Sequence, residues 1–334
     1  MESLAQPSAP FALGTFQADG ALGDFPGLVA GARVLDLRDA LPGMPADTLA
    51  LLEDWDLVLP ELPRIAEGRS PWWRPIEGLR IHAPVQPRQV FHAAANYRQH
   101  LIDLKAAHPS PDDPCTPEQS RAFEIAALMQ RRARDDQPYV FIGLPSSIAG
   151  PYDDVELPGW AATADWELEL AAVIGQRTRR VGTEHALDCV AGYTIADVLT
   201  DRSSVFRPDL PAIGTDWLRS KNAPGFTPLG PYLVPAEFVG DPGDLRITLK
   251  LNGQTMQDES TKDMLFGVAR LISHISQYAV LWPGDLVLTG SPAGNGLHWG
   301  RLLRDGDVME GTVTGLGGQR TRCIAEAPAR GSAP

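Results

Sequence analysis

Cysteine is scarce in this chain: Cys115, Cys189 and Cys323 are the only three in 334 residues. Widely spaced and odd in number, they can build neither a disulfide framework nor a C-x-x-C zinc site, so a reducing cytoplasm is the expected setting. Positive charge is short as well, with 29 Lys and Arg against 42 Asp and Glu and a net charge of −13. Such a chain repels phosphate backbones and anionic lipid, which argues against nucleic acid and membrane surfaces as partners. No apolar run approaches the roughly 20 residues that span a bilayer. The segment Met1 to Ala5 lacks the basic start of a signal peptide. Also missing are the G-x-G-x-x-G and Gly-Lys-Ser/Thr signatures of nucleotide folds and the G-x-S-x-G elbow of serine hydrolases.

What the chain has in excess is turn chemistry, with 32 glycines and 30 prolines. No G-x-y period or low-complexity tract accompanies them, so they read as tight turns between many short strands. The fold class expected is α+β, dominated by β. Length suits two domains, or one domain with an appendage. Residues 1–84 read as a smaller N-terminal domain, with a helical pattern from Met44 to Leu59 on Leu49, Leu51, Leu52 and Trp55. Turn residues from Ser70 to Pro87 mark the boundary, and 85–334 form the larger domain.

Within that domain, strands are expected at 89–95, 139–142, 166–175, 190–198 and 286–289. Leu245 to Leu251 runs into Asn252-Gly253, a hairpin turn signal. Met264, Leu265, Val268, Leu271, Ile272 and Ile275 have helical spacing, and Ser260-x-x-Asp263 resembles a capping box at the start of that helix. A proline-rich loop at 109–117 and a charged amphipathic helix at 117–134 make 101–137 a candidate lid.

Four groups of residues could carry chemistry. Asp165, Glu167 and Glu169 alternate with Trp166, Leu168 and Leu170, so on a strand the three carboxylates share one face. Hard oxygen donors of this kind suit magnesium, manganese or calcium, although a solvated strand edge gives the same pattern. His100 and Asp103 share a helix face, as an imidazole base and its orienting carboxylate would. Lys221 lies among turn residues and could stabilise an oxyanion. The loop Thr289-Gly290-Ser291-Pro292-Ala293-Gly294-Asn295-Gly296 offers amides and hydroxyls to an anion.

In order along the chain, these segments resemble the fumarylacetoacetate hydrolase family over about residues 88–325. Asn96-Tyr97-Arg98-Gln99-His100 resembles that family's N-Y-x-x-H, and Trp166-Glu167-Leu168-Glu169 its E-x-E strand. Gly192-Tyr193-Thr194, Lys221 with Pro228-Leu229-Gly230-Pro231, Asn252-Gly253 with Gln257, Pro283-Gly284-Asp285 and Thr289-Gly290-Ser291-Pro292 match in register. The resemblance implies a mixed β-roll or sandwich catalytic domain, usually in a homodimer, that holds Mg2+, Mn2+ or Ca2+ and takes a small-molecule substrate. It implies His100, Asp103 and Lys221 as catalytic residues, and Tyr97, Arg98, Gln257, Thr289, Gly290 and Ser291 as substrate-binding ones. Glu167, Glu169 and Asp197 would be the metal ligands.

One column departs from the family pattern G-Y-T-x-x-N-D. Here Val198 stands where the third metal ligand belongs, and Asp197 stands one residue earlier, facing the opposite side of a regular strand. Either a bulge swings Asp197 inward, or the metal is weakly held or absent. The function expected is a metal-assisted hydrolase or decarboxylase cleaving a carbon–carbon bond in a small β-diketo or oxo acid. The alternatives are a metal-independent isomerase, dehydratase or cyclase of a specialised pathway, and a non-catalytic binding protein on the same scaffold.

Overall fold

The computed structural model describes residues 6–41, 43, 47–107, 118–212 and 214–327, with the side chains of 103–107 and 118–126 outside the description. Three larger sheets organise the chain. The first has five strands in the order Arg74–Pro75, Arg33–Asp36, Phe25–Ala30, Ala12–Ala18 and Leu79–His82. The six-stranded central sheet runs Val234–Pro235, Val190–Asp197, Leu168–Ile174, Leu286–Leu288, Val90–Ala94 and Tyr139–Gly143. The third runs Gln254–Ser260, Arg246–Leu251, Val308–Val313, Gly317–Ala325 and Val155–Leu157. Most neighbours are antiparallel, but Leu286–Leu288 pairs in parallel with Val90–Ala94, so the central sheet is mixed. The chain is therefore β-dominated α+β, with a few helices.

The two faces of Leu168–Ile174 enter different cores. Leu168, Leu170, Ala172 and Ile174 pack with Ile247, Leu249 and Met309 of the third sheet. Ala171 and Val173 pack with Leu13, Leu28, Leu51 and Leu52 of the first sheet and its helices. A strand buried on both faces reads as a continuous apolar run, as Leu170 to Ile174 does.

Several expected elements shift, each for a local reason. The helix expected over 44–59 becomes Thr48–Glu53 and Trp55–Val58, followed by the 3-10 turn Leu59–Glu61 and the helix Leu62–Glu67. Asp54 leaves helical geometry at φ −109°, ψ 28°, and Pro60 and Pro63 start the later turns, where their missing N–H does no harm. Residues 44–46 lie outside the described residues, as does the loop at 109–117. The amphipathic helix spans Glu118–Asp135. Ser260 caps only the 3-10 turn Thr261–Asp263, because Met264 turns extended; the long helix, Val268–Tyr278, starts at Gly267 instead. The hairpin turn forms as expected, with Asn252 at φ 52° and Gly253 at φ 82°.

Candidate active site

The strand that should begin at Trp166 enters the ladder only at Leu168, while Ala164–Asp165 pairs separately with Thr200–Asp201. Between them the backbone donors go to side chains. The Glu167 N–H donates to Asp197 Oδ1 at 3.0 Å and the Leu168 N–H to Gln257 Oε1 at 3.1 Å. The register sets Leu168 opposite Asp197 and Glu169 opposite Ala196, and opposed residues share a face. Asp197 therefore points with Leu168, away from Glu169. The ladder is regular from Leu168 to Val173, with its one irregularity at Val173/Ile174, so no bulge carries Asp197 round. Val198, whose N–H donates to the Glu167 carbonyl at 2.9 Å, occupies the carboxylate face as a fully buried apolar residue.

Glu167 is the hub. Its Oε2 accepts from Lys221 Nζ at 2.5 Å and from Thr200 Oγ1 at 3.2 Å, and its Oε1 lies 2.6 Å from Arg202 Nη2. Lys221 Nζ also donates to Thr200 Oγ1 at 2.6 Å. Arg202 Nε reaches Asp165 Oδ2 at 2.8 Å, and Asp165 accepts from Gly296 N at 2.5 Å. Burial alone would push the Glu167 carboxyl up, but Arg202 and Lys221, with His100 behind them, hold it well below the usual carboxylate range. Among the described residues Glu169 has no cation in contact. Burial pushes its carboxyl up to about 8, against the pull of Lys221, and its Oε2 accepts from the Gly290 N–H at 2.6 Å. Burial likewise lifts Asp197 to about 7.

The Gly-rich loop closes over this strand. Gly290 sits at φ +86°, and a Cβ there would lie 2.9 Å from the Ala93 carbonyl, so only glycine fits. Asn96 ties the loop to the strand-to-helix junction, donating to the Thr289 and Phe266 carbonyls at 2.8 and 3.0 Å. Tyr97 is fully buried, and Thr289 Oγ1 donates to the Leu170 carbonyl at 2.9 Å. Gln257 donates from Nε2 to Ser291 Oγ and to the Pro292 carbonyl, both at 3.0 Å. Since its Oε1 holds Leu168, Gln257 clamps the loop to the strand. Arg98 donates to the Met264 carbonyl at 2.8 Å and so anchors the helix Arg98–Ala107 to the segment before Val268. On that helix His100 is buried, its Nδ1 3.3 Å from Asn295 Nδ2. Asp103 lies one turn on, its side chain outside the described set.

The structure thus gathers His100, Glu167, Lys221, Glu169, Thr289 and Gly290, and sets Arg98 and Asp197 to other tasks. Sequence reasoning missed Thr200, Arg202 and Asn295, although Asn295 lies inside the Gly-rich loop that was singled out and Thr200 and Arg202 follow closely on the strand expected at 190–198. It also passed over His92, one lone histidine among several. Its ring stacks on Phe141 at 4.7 Å, and Phe141 stacks on Trp217 at 4.2 Å. Trp217 begins the short helix Trp217–Lys221, so the stack braces the helix that delivers the lysine.

The donors do not fit a divalent ion. Magnesium and calcium take six or more oxygens. Here both oxygens of Glu167 face cations, Glu169 is bonded to a backbone N–H, Asp197 is on the other face and Val198 offers nothing. Among the described residues no group of three His, Cys, Asp or Glu is placed to hold a metal. At about 4 Å and an effective dielectric near 20, each unit pair of like charges costs about 4 kcal/mol. An ion at Glu167 would meet that repulsion from both Lys221 and Arg202, doubled by its own charge.

A pocket of about 400 Å3 opens beside the Gly-rich loop, lined by Gln99, Met256, Ala293, Gly294 and Trp299. A larger one, about 810 Å3, lies elsewhere, between Trp55, Arg88, Arg177 and Trp282, and none of the site residues lines it. Among the described residues no helix is long and apolar enough to cross a membrane.

Comparison with known proteins agrees with this fold. Residues 89–324 match the model of the fumarylacetoacetate (FAA) hydrolase C-terminal domain. The chain is 33% identical to 2,4-didehydro-3-deoxy-L-rhamnonate hydrolase of Sphingomonas sp. (strain SKA58), covering 88% of this chain and 90% of that one. It is 32% identical to a mitochondrial oxaloacetate tautomerase of Bos taurus, covering 93% and 91%. Among solved structures it is similar to fumarylacetoacetate hydrolase from psychrophilic Exiguobacterium antarcticum, at a TM-score of 0.71 and 25% identity, covering 95% and 100%. With its fold, its ordered motifs and these relatives in agreement, the chain belongs to the fumarylacetoacetate hydrolase family, whose members here include hydrolases and tautomerases.

Proposed function

We propose that the chain is an enzyme of small oxo acids that moves a proton at the carbon beside the oxo group, interconverting keto and enol forms or shifting a double bond. The observation that carries this reading is the buried cluster in which Lys221, Arg202 and His100 surround one ionised carboxylate, Glu167. Enolisation needs a base for the carbon-bound proton and a fixed positive group for the oxyanion that forms. His100 supplies the first and Lys221 the second, with Thr200 and Glu167 fixing the ammonium. Asn295 orients the imidazole from its Nδ1 side. The similarity to an oxaloacetate tautomerase, named for an oxo acid, supports the reading.

A second reading is a hydrolase or decarboxylase cleaving a carbon–carbon bond in a β-diketo or oxo acid, supported by the similarity to a hydrolase. His100 would then deprotonate a water, and Lys221 would hold the enolate released by cleavage. One experiment separates the two: purified enzyme is mixed with freshly dissolved oxaloacetate and with 2,4-dioxo acids. Ultraviolet absorbance follows the enol, and chromatography follows any new carboxylic acid or loss of carbon dioxide. Accelerated enol decay without fragments is the expected result. Fragments favour the second reading, and no acceleration on any compound sinks both.

A further inference from the structure

The carboxylate face of Leu168–Ile174 and its approach segment hold a closed set of charges. Lys221 Nζ and Arg202 Nη2 lie 2.5 and 2.6 Å from the two oxygens of Glu167, and Arg202 Nε binds Asp165. All three side chains of that triad are nearly buried, with Lys221 at 6%, Glu167 at 9% and Arg202 at 17% exposure. An isolated buried carboxylate is costly, and a lone buried cation equally so; each is tolerated here because its counter-charge is in contact. On the same face, the position opposite Glu167 holds Val198 rather than an oxygen donor, and Val198 packs into the apolar core with Ala196, Ala171 and Val173.

We infer that Lys221 and Arg202 together take the place of a divalent cation in this chain. The carboxylate strand is neutralised by side chains, and the site works without bound magnesium or manganese. Three features converge on this. The charge a metal would bring is already present and in contact. The guanidinium is planar and always ionised, so its spread-out charge lies against both Asp165 and Glu167 at once. The backbone position from which a third anionic ligand would reach carries a branched alkyl group, while the neighbouring Asp197 spends its carboxylate on the Glu167 N–H. Arg202 is here a positioning residue, holding Glu167 so that Glu167 can hold Lys221.

The inference rests on the geometry around Glu167 and not on the reaction proposed above. Metal binding is read without substrate, so either idea can fail alone. The test is calorimetric titration of the whole protein with MnCl2, repeated with MgCl2, in chelator-stripped buffer. Wild type is expected to give no saturable binding at micromolar concentrations. The double variant Val198→Asp/Arg202→Met, which supplies a ligand and removes a competing cation, is expected to bind Mn2+ at least tenfold more tightly. Circular dichroism confirms its fold. If the double variant does not fold, Val198→Asp alone is expected to move in the same direction by a smaller factor. One-to-one micromolar binding by wild type that is lost in Glu167→Gln would overturn the inference. So would folded variants that bind no better than wild type, since the exclusion would then lie elsewhere.

Discussion

His92 offers a test of the site's electrostatics that needs no substrate. It is buried at 3% exposure, its Nδ1 has no hydrogen-bond partner among the described residues and its ring lies flat on Phe141. Burial, helped by the charge of Lys221 and opposed by Glu167, pushes the imidazole from 6.5 down to about 3. The folded protein therefore refuses a proton that the unfolded chain accepts below about pH 6.5. Where the unfolded state binds more protons, stability falls as pH falls, by about 1.4 kcal/mol per pH unit. Between pH 6.5 and roughly 4.5 this one ring should cost on the order of 2 kcal/mol, a sizeable share of a typical stability of about 5–15 kcal/mol. Glu169 and Asp197 work with the opposite sign. Their raised carboxyls keep a proton in the fold, so their contribution is full at low pH and fades as pH rises through about 7 and 8. Both are common to wild type and to His92→Asn, and cancel in the difference. Urea unfolding of the two proteins at a series of pH values should show wild type losing stability relative to the variant below pH 6.5. A difference that stays constant from about pH 7 to 4.5 would refute a neutral, desolvated His92.

Three further outcomes follow from the same geometry. His100→Ala should lower turnover by roughly 10²–10⁴ with the melting temperature little changed; full activity on a confirmed substrate removes it as the base. Lys221→Ala should lower turnover by roughly 10²–10³, with kcat falling more than KM rises, since the ammonium is needed most by the enolate. A loss confined to KM would assign it to ground-state binding instead. Gly290→Ala forces a Cβ to 2.9 Å from the Ala93 carbonyl at φ +86° and should cost about 1–3 kcal/mol. An unchanged thermal unfolding curve contradicts that packing.

Much of this architecture is legible in the sequence because it depends on local rules. β-branched Val190, Thr194 and Ile195 with Tyr193 mark Val190–Asp197, an apolar run marks Leu168–Ile174, and Asn252-Gly253 marks its hairpin. What was not legible depends on partners distant in sequence. Nothing near Glu167 announces that its N–H will be taken by Asp197 and its carboxylate by Lys221 and Arg202, at 54 and 35 residues' remove. Asp263 has the spacing of a capping residue, yet it accepts from the Gln99 N–H at 2.8 Å, a contact across 164 residues. The alternation rule did foresee that Asp197 would face away if the strand stayed regular, and it did stay regular. The resemblance told which column to inspect; the pleat decided the answer.

The same pleat has a consequence for how the chain reaches its native state. A slip of one residue between Leu168–Ile174 and Val190–Asp197 would preserve most main-chain pairing, yet turn every side chain to the other face. Glu169 would then be driven in among Ile247, Leu249 and Met309, far from Lys221, while Leu168 and Leu170 would be left where the charges gather. Glu169 would lose the Gly290 N–H that it holds at 2.6 Å, and a polar group buried without its hydrogen bond costs about 1–3 kcal/mol, a sizeable fraction of a typical stability. The buried carboxyl groups at the head of this strand thus make its wrong alignments self-rejecting, and the cluster acts as a proofreading mark on the ladder that carries it.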